Sequence, residues 1–170
     1  KIHQLNEIMH SQLPRLQHHL QEVGLMPDFF ASKWFLTLHT YTLPLQLVCR
    51  VWDSFVVDGW KAVFRGGLAL LKQQQPLLLE LEMGEIAMLF NKKVGMPKSP
   101  NRNNRNSSNA STTSVSANAF SKYMHCYSND IKVTRSMLLR AERSYKEGRL
   151  FEMIRWKRRR AQRGEGGNPN

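Results

Sequence analysis

Apolar side chains recur along the first half of the chain at spacings of three and four, the period of an α-helix. Leu5, Ile8 and Met9, then Leu13, Leu16, Leu20 and Val23, continue one such face, interrupted near Pro14. Trp34, Phe35 and Leu38 form a second group, and Leu45, Val48, Cys49, Trp52, Phe55 and Val56 a third, which predicts two packed helices joined through Leu43-Pro44-Leu45. Asp28 is placed to cap the first of them, because its carboxylate can accept from free N–H groups of the opening turn. Pro44 suits the start of the second, where its missing N–H has no intrahelical partner anyway. Gly59 suits the end, in a left-handed cap, with Val56 and Val57 facing inward one turn earlier.

Within that second helix Arg50 and Asp53 are three apart and can form an ion pair. Flanked by Val51, Trp52 and Phe55, the pair reads as partly desolvated, so that removing one partner would cost on the order of 3 to 5 kcal/mol. Trp34 and Trp52 read as core, since aromatic side chains dominate core burial. Val63, Phe64, Leu68 and Leu71 predict a further helix, in which Gly66-Gly67 costs roughly 1 kcal/mol each relative to Ala and so signals close helix packing. Pro76 opens a segment through Leu81, and Ile86, Met88, Leu89 and Phe90 supply one more short helix. No alternating strand pattern occurs, and the fold class is all-α.

The composition changes after about residue 95. Residues 1–95 hold 9 Lys and Arg against 8 Asp and Glu, a net charge of +1, whereas residues 96–170 hold 16 against 5, a net charge of +11. The division that follows is a near-neutral helical domain over 1–95, an Asn- and Ser-rich linker over 96–119, a basic helical extension over 120–163 and a short tail over 164–170. The linker has too few apolar residues to offset the entropy of ordering, and it is expected to be disordered. It contains a sequon, Asn109-Ala110-Ser111, and a Ser99-Pro100 pair. In the extension, Thr134 can cap a helix running to about Arg163, with Met137, Leu138, Ala141, Tyr145, Phe151 and Ile154 on or near one face. Its basic residues Arg155, Lys157, Arg158, Arg159, Arg160 and Arg163 are candidate contacts for an anionic membrane surface or for calmodulin. The plainer expectation is that the helix packs its apolar face on the domain and leaves its arginines in water. Nucleic acid is disfavoured, because no aromatic-rich RNA-recognition motif accompanies the basic run.

No apolar run approaches the roughly 20 residues needed to span a bilayer, and Cys49 and Cys126 form no clustered pattern. His3, Glu7 and His10 share one helical side, but a lone helix with no defined fourth ligand reads as a solvated face, so no metal or cofactor is assigned. No triad of nucleophile and base stands out. Gly66-Gly67 lacks the Lys-Ser/Thr of a phosphate-binding loop.

One ordered set of motifs goes further than periodicity. Ala31-Ser32, Trp34-Phe35, Leu43-Pro44-Leu45, Arg50-Val51-Trp52-Asp53, Gly59 and Val63-Phe64-Arg65 follow one another, preceded by Leu16, Leu20 and the turn Val23-Gly24-Leu25-Met26-Pro27. In this the chain resembles the C-terminal half of the TBC domain, the helical module of GTPase-activating proteins for Rab GTPases, over about residues 3–95. The resemblance implies a multi-helix right-angled array in which Trp34, Phe35, Pro44, Arg50, Trp52, Asp53 and Gly59 are structural. It implies a Rab-family partner, a role in vesicle traffic, and a cytoplasmic location, peripheral on endomembranes.

TBC domains act through an Arg from an I-x-x-D-x-x-R motif and a Gln from a Y-x-Q motif. The first neutralises charge developing on the transferred phosphoryl group and the second orients the attacking water. Both motifs belong to the N-terminal half of that domain, and neither occurs in this sequence. No catalytic residue is therefore carried over, and Arg50 and Arg65 are not fingers. The chain opens in a helical pattern without Met, which reads as one part of a longer Rab activator, inactive alone. A non-catalytic helical scaffold docking on membrane or nucleic acid through the basic tail is the alternative.

Overall fold

The structure, a computed structural model, describes residues 1–91 and 117–162. Most of the expected linker, with its sequon and Ser-Pro pair, lies outside the described residues, as do Arg163 and the terminal tail. The described chain is all-α: α1 (Ile2–Gln12), α2 (Pro14–Glu22), α3 (Pro27–Thr37), α4 (Leu45–Asp58), α5 (Trp60–Leu78), α6 (Met83–Asn91), α7 (Ala117–His125), a π-helical turn (Cys126–Asp130) and α8 (Arg135–Gln162).

Prolines open α2 and α3 as their first residues, where a missing N–H costs nothing. The start of α3 is thus set by Pro27, with Met26 in the cap position. Asp28 falls inside the first turn and caps nothing, correcting the expected role. Between α2 and α3 the chain reverses at Gly24, whose φ of 77° lies in the left-handed region. At the other end of α3, Leu38 (φ 46°) and His39 (φ 69°) are both left-handed, so the helix stops at Thr37 and Leu38 is its cap. Pro44 precedes α4, and its carbonyl accepts from the N–H groups of Leu47 and Val48 at 2.9 and 3.0 Å. Gly59 ends α4 with φ 60° and ψ −139° and at once caps α5. A positive φ is required there as expected, although ψ is not that of the left-handed helix. Pro76 does not begin a new helix: it sits in the last turn of α5, which ends two residues later.

The core is built round α5, which is buried on nearly every side over Ala62 to Leu71. α3, α4, α7 and the π-helical turn contact it, while α1 contacts α2, α3 and α8. Gly66 and Gly67 make the close approach possible. A Cβ on Gly67 would lie 2.5 Å from Cε3 of Trp34, and one on Gly66 would lie 3.2 to 3.3 Å from His39, Tyr123 and Val51. The close packing expected of this glycine pair is therefore present. Tyr123, Cys126, Tyr127, Ile131 and Val133 belong to the same apolar core as the helices before residue 92, and the Tyr123 hydroxyl donates to the Gly66 carbonyl at 3.0 Å.

Thr134 caps α8 as expected, its hydroxyl accepting from the Met137 N–H at 3.2 Å. Only the first turns of α8 are packed. Ala141 is buried, Gln4 Nε2 donates to the Leu138 carbonyl at 2.9 Å, and the His3 and Tyr145 rings lie 5.0 Å apart. Every residue from Arg143 to Arg159 is exposed, so the expectation that the whole helix lays its apolar face on the domain fails beyond the first turns.

Candidate functional site

The motif residues of α3 and α4 fall into two groups that the sequence did not separate. Trp34 is buried among Phe30, Phe90, His39 and Gly67, with ring centroids of 5.1, 6.4 and 5.6 Å to the first three. Phe35 is half-buried and packs its ring 5.0 Å from Phe64 and 6.3 Å from Trp60. Pro44 is buried at the corner between α3 and α4. These three, with Gly59, set the angle at which α4 leaves the core.

The remaining three face outward. α4 buries Leu47, Val48 and Val51, and its opposite side carries Leu45, Cys49, Trp52 and Val56 at intervals of four, three and four, all exposed. Trp52 is 45 % exposed and Val56 and Val57 are each 86 % exposed, which corrects the readings of Trp52 as core and of the two valines as inward. Trp52 is tied to the end of α3, its Nε1–H donating to the Leu38 carbonyl at 3.0 Å. That carbonyl is available because the left-handed residues at 38 and 39 end the helix there.

Arg50 and Asp53 do pair, at 3.8 Å, but their side chains are 61 % and 71 % exposed. A pair in water gains little Coulomb energy and loses side-chain entropy, so the expected desolvation does not arise. Arg50→Ala and Asp53→Ala are each expected to shift stability by less than about 0.5 kcal/mol. A urea midpoint that fell by several times that amount in either variant would show that the pair is desolvated after all.

The better-organised charge cluster is one that sequence reasoning passed over. Asp58 accepts from Lys61 Nζ at 2.7 Å and from Arg65 at 3.4 Å, bridging the end of α4 to α5. The Lys61 hydrogen bond holds the Asp58 carboxyl below the usual carboxylate range, with the charges of Lys61 and Arg65 adding to it. Arg65 also lies over the Tyr127 ring, 5.4 Å from its centroid. The i, i+3 spacing of Asp58 and Lys61 was the available signal. Arg65 is thus engaged in an ion pair and a ring contact, in keeping with its exclusion as a finger.

His39 is the other omission. It is completely buried, its Nε2–H donates to the Val63 carbonyl at 2.9 Å, and its Nδ1 has no hydrogen-bond partner. Burial pushes its imidazole down to about 4, the Val63 hydrogen bond opposing only in part. Nothing in the periodicity marks this residue, since it lies in the turn between two helices.

Of the basic residues singled out in the extension, Arg155, Lys157, Arg158 and Arg159 are exposed on α8. Arg160 lies on the same helix with its side chain outside the described residues. His3 lies 4.0 Å from Glu7, and His10 shares a 3.3 Å contact with Gln17. Among the described residues no group of three or more His, Cys, Asp or Glu could hold a metal ion, and no helix is long and apolar enough to cross a membrane.

A helical array in which a Trp-Phe helix, a proline corner and an Arg-x-Trp-Asp helix pack on a glycine-bearing central helix is of the TBC kind, and the comparison with known families agrees. Residues 1–79 match the RabGAP-TBC family, the Rab-GTPase-TBC domain, and this part of the chain is a TBC-domain segment. The chain is 37% identical over 93 residues to the ecotropic viral integration site 5 ortholog of Drosophila melanogaster, covering 55% of this chain and 12% of that protein. It is 36% identical over 91 residues to the Rab GTPase-activating protein eat-17 of Caenorhabditis elegans, covering 54% of this chain and 10% of that protein. To TBC1 domain family member 4 of Mus musculus it is 28% identical over 154 residues, 91% of this chain and 11% of that protein. The chain thus spans about a tenth of the length of these curated relatives.

Proposed function

We propose that this chain is part of a GTPase-activating protein for a Rab-family GTPase, to which it contributes the C-terminal helical half of the TBC domain. The observation that carries this reading is the match of residues 1–79 to the Rab-GTPase-TBC domain, joined to relatives that include one named as a Rab GTPase-activating protein. In this reading the chain is itself no enzyme. The Arg and Gln fingers that act on the bound GTP belong to sequence N-terminal to it, and the chain supplies the helical platform that holds them in place. Its setting is then the cytoplasmic face of endomembranes, in vesicle traffic.

Support from the chain itself is the absence of an I-x-x-D-x-x-R or Y-x-Q sequence, together with the engagement of Arg65 by Asp58. Single-turnover GTP hydrolysis by a panel of Rab proteins tests the reading. The chain alone is expected to leave the intrinsic rate unchanged, and the same chain joined to an upstream TBC half is expected to raise it on the order of 10³-fold or more for at least one Rab, the scale of an arginine finger. Acceleration by the chain alone would overturn the placement of the fingers, and inactivity of both across the panel would favour a scaffold without catalytic function.

A further inference from the structure

The distal half of α8 is left over by this reading. From Arg143 to Arg159 every residue is exposed, yet the helix there is not built like a solvated one. Leu150, Phe151, Met153 and Ile154 are all exposed, Phe151 at 68 %. The same class of residue at the start of α8, Met137, Leu138 and Ala141, is covered by α1. At 3.6 residues per turn the four distal side chains fall within an arc of about 160°. Arg159 lies on the opposite side, while Arg155 and Arg149 each sit about 40° beyond one edge of the arc. Lys157 and Arg158 follow one turn later, one on each flank of the line through Leu150 and Ile154.

We propose that this segment, residues 149–159, is an interfacial anchor that lays Leu150, Phe151, Met153 and Ile154 into the headgroup region of an anionic lipid bilayer. The argument rests on complementarity of two kinds on the same turns. Glu152 is the only acidic residue among five cations in the segment, so the partner carries negative charge. The apolar arc covers less than half of the helix circumference, and the long stems of Arg149 and Arg155 at its edges, with Lys157 and Arg158 one turn further along it, can reach headgroup phosphates while their carbons stay with the apolar face. A nucleic acid would satisfy the cations and leave three aliphatic side chains in water. A protein groove that encloses a helix would have to bury Arg155 and Arg159 as well as the apolar arc. The anchored first turns of α8 would hold the TBC segment close to such a surface. This goes beyond the activity proposed above and does not depend on it.

The test is co-sedimentation of the full chain with phosphatidylcholine vesicles and with vesicles that also contain phosphatidylserine, at low and at physiological salt. Binding is expected only to the second. Phe151→Ser with Ile154→Ser, and separately Lys157→Glu with Arg158→Glu, should each lower the partition by at least about tenfold, with helix content and unfolding midpoint little changed because these side chains are exposed beyond the packed turns of α8. As an independent readout, brominated lipid in the anionic vesicles should quench the emission of a tryptophan placed in the arc by Ile154→Trp more strongly than that of the unaltered chain, whose Trp156 lies outside the arc. Sedimentation with neither vesicle overturns the proposal. So does binding that survives Phe151→Ser with Ile154→Ser, or capture by RNA or by calcium-loaded calmodulin without any vesicle binding.

Discussion

Replacing Trp34 by Ala should lower the unfolding free energy of this chain by about 3 to 5 kcal/mol, the range for removing a large aromatic from a packed core. For a domain whose total stability is on the order of 5 to 15 kcal/mol, that is a large fraction. Trp34 is 2 % exposed and fills the space between Phe30, Phe90 and α5, so little can collapse into the void. Its contact with Gly67 makes the prediction sharper. Gly67→Ala in the unaltered chain drives a methyl group to 2.5 Å from the ring, and overpacking of that kind costs about 1 to 3 kcal/mol even after relaxation. In the Trp34→Ala background the ring is gone, and only the higher helix propensity of Ala is left, worth roughly 1 kcal/mol in its favour. The effect of Gly67→Ala should therefore change sign between the two backgrounds, as read from urea unfolding. An equal cost in both would mean that Trp34 is not what confines the glycine.

The second large effect is expected from pH. His39 is neutral in the folded chain, with its imidazole at about 4, whereas in the unfolded chain it titrates near 6.5. Between these values the unfolded state binds the proton that the folded state refuses, so stability rises with pH across that window and is lost as pH falls through it. Each unit of separation is about 1.4 kcal/mol, which makes the full interval worth about 3 kcal/mol. His39→Asn is the informative control, because Asn tolerates a left-handed backbone and does not titrate. The unfolding free energy of that variant should be nearly flat from pH 6.5 down to the range where carboxylates begin to protonate. If it falls as steeply as in the unaltered chain, His39 is not the group responsible.

How much of this was legible in the sequence depended on how many sides of each helix are apolar. The corner was readable because Pro44 and Gly59 act through backbone geometry, which residue type declares, and the glycine pair of α5 was readable because helices rarely place two together without a packing reason. α4 was not, because Leu47, Val48 and Val51 on one side and Leu45, Trp52 and Val56 on the other give periodicity two equal answers. The wrong choice there moved Trp52 into the core and desolvated an ion pair that stands in water. The end of α3 was hidden for a different reason: Leu38 and His39 adopt positive φ without being glycine or asparagine, so no local signal marks the stop. Tyr123, Tyr127 and Ile131 recur at intervals of four and could have been read as a face packed on the core, had the basic charge around them weighed less.

Gly59 and Gly67 both resist substitution, for opposite reasons that would leave opposite marks on a collection of variants. At Gly59 an added Cβ would meet nothing within 4 Å, and the obstacle is the backbone at φ 60° and ψ −139°. Every L-residue should be penalised there to a similar degree, alanine and arginine alike. At Gly67 the backbone is ordinary helix, and the obstacle is the indole beside it. Tolerance at that position is graded by size, and it widens whenever the tryptophan opposite shrinks.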